Sequence, residues 1–251
     1  MNFIGKKVLI TGSSRGIGHA TAKEFLKLGA LVAINGRSQA TVEKAWLALD
    51  KHENITKIVG DVATVLGCQA IVNQAVSALG GLDILVNAAG VGHAVSIAKT
   101  DEALWDATMD INLKGTFFCC QAALPELKKT GGNIVNIASD CGLKGERKLA
   151  VYCASKAGVV NMTKSMALDL APDIRINCIC PGYVDTDMVR RDCIDIADNP
   201  EKVEQALKDY APLKRFAAPV EIAKAVAYLA SEHAVNITGT SLSIDGGTTA
   251  G

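Results

Sequence analysis

The chain has 251 residues, 26 basic against 26 acidic side chains, and 49% hydrophobic residues. That length suits one large α/β domain or at most two small ones, and the charge balance argues against a nucleic-acid or acidic-membrane partner, which needs a basic surplus or stripe. No run reaches the roughly 18 apolar residues of a membrane span, and the amino terminus lacks the apolar core and cleavage site of a signal peptide, so a cytoplasmic protein is expected.

Short β-branched runs alternate with longer amphipathic ones, the pattern of repeated βα units on a parallel sheet. Strand 6–11 precedes a helix from Gly16 to Leu28, and strand 30–35 a helix from Ala40 to His52. Strand 56–60 leads to a helix from Leu66 to Leu79, and strand 83–88 to one from Asp101 to Lys128. Strand 133–138 is followed by a helix from Tyr152 to Leu170, strand 174–180 by one from Pro219 to Ser231, and strand 241–245 closes the series. Several strands are apolar on both faces, as a sheet covered on each side requires. The expected fold is α/β: a doubly wound, Rossmann-like, seven-stranded parallel sheet in a single domain, 1–251. Between Pro181 and Pro219 the chain carries scattered charges, an Asn199-Pro200 break and a weak helix from Glu201 to Tyr210. A connection that long inside a compact domain reads as a lid, over about 183–215. The eight cysteines sit mostly in apolar runs without C-x-x-C spacing, so buried reduced thiols and no metal site are expected, Cys141 and Cys153 included.

Strand 1 ends in Thr11-Gly12-Ser13-Ser14-Arg15-Gly16-Ile17-Gly18, directly before a helix. Glycines there let the backbone approach a ligand, and the free N–H groups and dipole of the following helix attract an anion such as a dinucleotide pyrophosphate. Strand 2 then bears on which dinucleotide binds. An NAD site normally ends this strand with a carboxylate for the adenosine ribose, whereas here it ends Asn35-Gly36-Arg37-Ser38. Arg37, with Arg15 facing the same spot, suits a 2′-phosphate, because arginine pairs phosphate bidentately. The reading is NADP(H) over NAD(H); the plainer alternative is two solvated surface arginines.

In Tyr152-Cys153-Ala154-Ser155-Lys156 the i, i+4 spacing puts Tyr152 and Lys156 on one helix face. A nearby ammonium is expected to lower the tyrosine pKa from about 10 by roughly 1–3 units, toward the useful range of a general acid/base. Ser139 ends strand 5, at the carboxyl edge where doubly wound sheets bind ligands, and its hydroxyl is in position to bond a substrate oxygen.

Together these residues resemble the short-chain dehydrogenase/reductase family almost from end to end. TGSSRGIG is similar to the family's TGxxxGIG loop, and VGDVA places Asp61 and Val62 where the family contacts adenine. NAAG, with Asn87, Ala88 and Gly90, resembles NNAG; MDINLKG places Asn112 at the family's catalytic asparagine. IASDCG through YCASK supplies Ser139, Tyr152 and Lys156, and PGYVDTDM matches the turn and cofactor-contacting segment at Pro181, Gly182, Val184 and Thr186. Ala88 departs from the family's second asparagine, whose amide links neighbouring strands, so the departure bears on the sheet and not on the chemistry. The resemblance implies hydride transfer between a nicotinamide and a ketone or secondary alcohol. Tyr152 exchanges the proton, Ser139 positions the oxygen, Lys156 holds the ribose and depresses the tyrosine pKa, and Asn112 anchors a water. It also implies a homotetramer built through the two longest helices and the C-terminal strand. The 3-oxoacyl-carrier-protein reductases and the sugar-alcohol and secondary-alcohol dehydrogenases look alike at this level.

The substrate pocket is expected from Val91, His93, Val95, Cys141, Leu143, Lys144, Tyr183, Met188 and Arg190. His93 reads as a polar wall residue ahead of a second acid/base, and Lys144 and Arg147 as a solvated rim ahead of a receptor for an anionic substrate. The mixture permits a small polyol, a hydroxy acid or a hydrophobic ketone. Two other readings remain: NAD(H)-dependent oxidation of a polyol, sugar or other secondary alcohol, and a cofactor-binding regulatory or scaffold protein without turnover.

Overall fold

The computed structural model describes residues 1–250, apart from the side chain of Asp192. Seven strands form one parallel sheet: β1 Lys7–Thr11, β2 Leu31–Gly36, β3 Ile55–Val59, β4 Ile84–Asn87, β5 Asn133–Ile137, β6 Arg175–Pro181 and β7 Ser241–Ile244, in the order β3-β2-β1-β4-β5-β6-β7. The order reverses between β1 and β4, where Val8 pairs with Ile84 and Thr11 with Asn87. Open α/β sheets bind ligands outside the carboxyl ends at such a switch point.

Alternation along each strand feeds two apolar layers, because successive side chains point to opposite faces. Val8, Ile10, Ile34, Val86 and Val135 pack on one face with Phe25 and Leu26 of helix α1 (Gly16–Lys27) and with Ile222, Val226 and Leu229 of helix α9 (Pro219–Ala230). Leu9, Leu85, Ile134 and Ile176 pack on the other with Cys68 and Ile71 of α3 (Val65–Leu79) and with Cys119, Cys120 and Leu127 of α5 (Gly115–Thr130). The apolar reading of the cysteines holds, since all eight are free and six are buried. Among the described residues no helix is long and apolar enough to cross a membrane.

Two of the expected helices differ from the sequence reading. Helix α2 (Gln39–Ala48) stops short of His52, because Asp50 and Lys51 turn to positive φ. The helix expected over 101–128 is two, α4 (Glu102–Met109) and α5, joined by one π-helical turn at Asp110–Lys114. The extra residue of a π turn rotates the register, and here it brings Asn112 to full burial. Helix α6 (Ala150–Leu170) ends where expected and begins two residues before Tyr152.

After β6 the chain makes an excursion through one helical turn, α7 (Asp187–Val189), a π turn at Arg190–Ile194 and helix α8 (Pro200–Tyr210), which Asn199 caps. Its two ends are stitched by a parallel bridge between Val184 and Ala217: Asp185 N–H donates to Ala217 O at 2.9 Å, and Ala217 N–H to Tyr183 O at 3.0 Å. Within it Arg190 pairs with Asp185 (2.6 Å) and Glu204 (2.7 Å).

Candidate active site

The carboxyl ends of β1 and β4 are fastened to each other by Thr11, whose hydroxyl accepts the N–H groups of Ala88 (3.2 Å) and Ala89 (3.3 Å). Gly12 follows at φ +62°, and a Cβ there would lie 2.5 Å from Ala89 Cα. At Gly18 a Cβ would stand 2.6 Å from Gly12 O. Only glycine fits this crossing. Helices α2, α3, α4 and α8 begin with side-chain caps from Ser38, Thr64, Asp101 and Asn199, whereas α1 has none and no acid in its first turn. Its first N–H groups therefore point unblocked over the cradle, and the arrangement fits a dinucleotide pyrophosphate.

A residue that sequence reasoning missed braces the loop. Asn35, buried at the end of β2, accepts the Gly12 N–H (3.3 Å) and donates to Gly60 O (3.2 Å), while its own N–H is taken by the Ser13 hydroxyl (2.7 Å). The available signal was an amide inside an otherwise apolar strand. Ser14 packs beneath Gly36. Arg37 is exposed beside it, but Arg15 lies 3.9 Å from Asp187 of α7, so its guanidinium leans toward the excursion. Asp61 is exposed at the end of β3, accepting the Ala63 N–H (3.0 Å), and Val62 is buried next to it.

One cleft opens at the switch point, lined by Ile17, Ala88 and Gly90, by Ser139, Tyr152 and Lys156, and by Pro181, Gly182, Val184, Thr186 and Met188 from the start of the excursion. The expected proton-handling residues thus converge with the expected cofactor residues. Thr186 stands over Gly16.

Lys156 is 4% exposed. Its ammonium donates to Ile137 O (2.9 Å) and lies 5.7 Å from the Tyr152 ring centroid. Burial lowers its pKa to about 8. Tyr152 departs from expectation. Burial outweighs its hydrogen bond with Ser139, and with Cys141, Asp140 and Cys153 nearby the phenol is held above its ordinary value. In the free protein Tyr152 is therefore a proton-loaded acid.

Asn112 sits behind the cleft, fully buried in the π turn. Its amide donates to Val91 O (2.9 Å) and Ser155 Oγ (3.0 Å), and its oxygen accepts the Val91 N–H (2.9 Å). The side chain thus fixes the loop after β4 against α6. Asn87 likewise turns its side chain into the sheet, donating to Asn136 Oδ1 (2.9 Å) and Cys120 Sγ (3.2 Å). It thereby supplies the strand-to-strand link expected of position 88, where alanine stands.

Around the cleft, Met188 and Tyr183 come from the excursion, and His93 is exposed. Cys141 is buried and its thiol is pushed up to about 12, first by burial and then by Asp140 and Cys153, as suits packing and not nucleophilic attack. Lys144 is neither a solvated rim residue nor a free cation: Asp140 (3.4 Å) and Glu146 (3.2 Å) flank it, and its side chain is 19% exposed.

Comparison with known proteins agrees with this geometry. The family model described as Enoyl-(Acyl carrier protein) reductase matches residues 12–249. Meso-2,3-butanediol dehydrogenase of Serratia marcescens is 37% identical over 251 residues, covering 100% of this chain and 97% of the relative. A 3-oxoacyl-acyl-carrier-protein reductase of Staphylococcus aureus is 37% identical over 246 residues, 96% of this chain and 97% of its own. The ligand-free aldohexose dehydrogenase of Thermoplasma acidophilum superposes with a TM-score of 0.89 at 31% identity, over 98% of this chain and 94% of its own. With the phosphate cradle, the Ser139–Tyr152–Lys156 cleft and full-length likeness all present, the chain belongs to the short-chain dehydrogenase/reductase family and is an oxidoreductase acting on CH–OH and C=O groups with a nicotinamide cofactor.

Proposed function

We propose that this enzyme moves a hydride between NADP(H) and a ketone or secondary alcohol, with Tyr152 as the general acid/base. The observation that carries this reading is the convergence of Ser139, Tyr152 and Lys156 on one cleft beside Gly90 and Thr186. Gly12, Ser14, Gly16, Ile17 and Gly18 would hold the pyrophosphate half of the cofactor, Arg37 the 2′-phosphate, joined by Arg15 once its exposed guanidinium swings from Asp187, and Asp61 and Val62 the adenine. The backbone around Asn87, Ala88 and Gly90, together with Pro181, Gly182, Val184 and Thr186, would flank the nicotinamide. When bound, the cofactor supplies or accepts the hydride, and the protein contributes orientation and charge.

The proton is the task of the chain's own residues. Tyr152 carries it at neutral pH and is poised to donate it to a developing alkoxide. Ser139 orients that oxygen. Lys156, whose pKa of about 8 leaves it mostly charged near neutrality, offsets the phenolate once the proton has left. In the alcohol-oxidising direction the same groups act in reverse order.

The excursion at about 183–215 would act as the lid of a single catalytic domain, with His93, Cys141, Lys144, Tyr183 and Met188 shaping the space beneath it. The relatives named above are a butanediol dehydrogenase, a 3-oxoacyl-acyl-carrier-protein reductase and an aldohexose dehydrogenase, so the substrate sought is a hydroxylated or oxo compound. An apolar face formed by Trp105 and Met109 of α4, Leu113 of the π turn, Phe117 of α5 and Met162 of α6 is consistent with a homotetramer; light scattering of the purified protein checks this.

Tyr152→Phe should lower turnover by at least ~100-fold on whichever alcohol or ketone the wild type accepts, with cofactor affinity retained. Full activity in this variant would overturn the proton assignment. Fluorescence titration with NADPH and NADH tests the arginine argument, and tighter NADH binding would replace it with the NAD(H)-dependent reading.

A further inference from the structure

The turn after β5 carries a carboxylate that the proton chemistry above leaves without a task. Asp140 directly follows Ser139 and is 5% exposed. Its Oδ1 accepts the Ser139 hydroxyl at 3.1 Å. Its Oδ2 accepts the Thr248 hydroxyl at 2.9 Å and lies 3.4 Å from Lys144 Nζ. The chain of contacts continues outward. Lys144 donates to the Tyr210 hydroxyl at 2.9 Å and stands 4.7 Å over the Tyr210 ring, and Glu146 takes a further bond at 3.2 Å. Tyr210 is the last residue of α8, at the far end of the excursion.

The turn does not need this carboxylate for its shape. Gly142 N–H donates to Ser139 O (2.9 Å), Leu143 and Lys144 N–H donate to Asp140 O (2.9 and 3.1 Å), and Cys141 N–H donates to Ser139 Oγ (3.2 Å). Nor is a largely buried ion pair a good source of stability, because desolvation offsets its attraction. What the carboxylate does control is a rotor. Ser139 has one hydroxyl proton, and in the free protein Asp140 Oδ1 holds it. A substrate oxygen must compete with Asp140 for that proton. Lys144 and Thr248 draw the carboxylate's charge toward Oδ2 and so weaken its hold.

The geometry points to Asp140 and Lys144 as positioning residues: Asp140 sets the Ser139 hydroxyl, and Lys144 transmits the seating of α8 at Tyr210 to it. Closure of the excursion and readiness of the serine are thereby one event. This inference rests on the reading of Ser139 and Tyr152 as the proton-handling pair.

Asp140→Asn, Lys144→Met and Tyr210→Phe test it in the intact enzyme, with NADPH and acetoin as the probe pair. Asp140→Asn should lower kcat about 10-fold with little change in KM for NADPH, since a serine out of position affects the chemical step. The pH profile separates positioning from general damage. The charged and titratable groups around Tyr152 are Lys156 and Cys153 on α6 and Asp140 and Cys141 on the turn, with burial and Asp140 raising the phenol. Removing the Asp140 charge should move the kcat profile to lower pH, whereas removing Lys144, which offsets that charge, should move it to higher pH. Tyr210→Phe should lower kcat by a few-fold in the wild type and have no further effect beside Asp140→Asn.

Hydrogen exchange needs no turnover and decides the coupling on any probe. Tyr210→Phe should speed exchange in the peptide 139–144 as well as in 200–210. Shifts of the same sign for Asp140→Asn and Lys144→Met, additive kinetics, or exchange changes confined to 200–210 would each overturn the inference. Ser139→Ala separates the two levels: wild-type turnover in that variant sinks the underlying reading, whereas an inactive Ser139→Ala beside an unaffected Asp140→Asn sinks this inference alone.

Discussion

Lys156 is the residue at which function and stability pull apart most clearly, and Lys156→Met measures the conflict. Burial takes the lysine from an ordinary value of 10.5 to about 8. The folded-state value is the lower one, so between about pH 8 and 10.5 the unfolded chain holds more protons and stability rises with pH. Below about pH 8 both states are protonated and the folded protein bears the whole cost of the buried charge, about 3 kcal/mol at 1.36 kcal/mol per pH unit. At about pH 9.5 roughly 1 kcal/mol of that cost remains. Methionine carries no such cost, although its introduction leaves Ile137 O without the 2.9 Å bond from the ammonium, a penalty of about 1–3 kcal/mol at every pH. At about pH 7 the variant should therefore be as stable as the wild type or slightly more so, and the wild type should gain about 2 kcal/mol on it by about pH 9.5. Urea unfolding of both proteins at the two pH values, without added cofactor, gives the difference directly. A gap between variant and wild type that does not change with pH would refute the reasoning, whatever its size.

Three further outcomes are expected. Asn136→Ala strips partners from both Asn87 (2.9 Å) and Thr163 (3.0 Å) at a fully buried site, and should cost about 3 kcal/mol in urea denaturation with cofactor affinity in the folded protein retained. Gly12→Ala combines φ +62° with a contact 2.5 Å from Ala89 Cα; backbone strain of about 1–3 kcal/mol adds to that clash, and calorimetry should find a lower Tm together with weakened NADPH binding. Arg37→Asp should weaken NADPH roughly 10- to 100-fold, the worth of a charge-assisted pair, and leave NADH equal or better in a fluorescence titration.

The sheet was legible because its strands are short, β-branched and apolar on both faces, a pattern with few other solutions. The cradle and the Tyr152–Lys156 pair were legible because backbone turns and i, i+4 spacing are local properties. What escaped was long-range. Nothing in Asp110–Lys114 marks a π turn; it arises where Asn112 must reach both Val91 and Ser155, and those contacts are 21 and 43 residues away. A helical face sets which groups lie near Tyr152, not how dry they are: burial outweighs the ammonium expected to lower the phenol, and Lys156 spends a bond on Ile137. Lys144 looked like a rim charge until Tyr210, 66 residues on, came to lie beside it.

The stitched base of the excursion carries a consequence for how such an enzyme can change. Chain that leaves and returns at one bridged point, Val184 beside Ala217, is a cassette. Loop-closure entropy grows only logarithmically with length, so the exposed residues of the excursion beyond Thr186 and Met188 can be lengthened, shortened or exchanged at small entropic cost to the remainder. Ser139, Tyr152 and Lys156 all lie outside the stitches. Recognition can therefore drift, or be grafted between homologues, without rebuilding the groups that handle the proton, provided the incoming segment still offers Lys144 a partner where Tyr210 now stands.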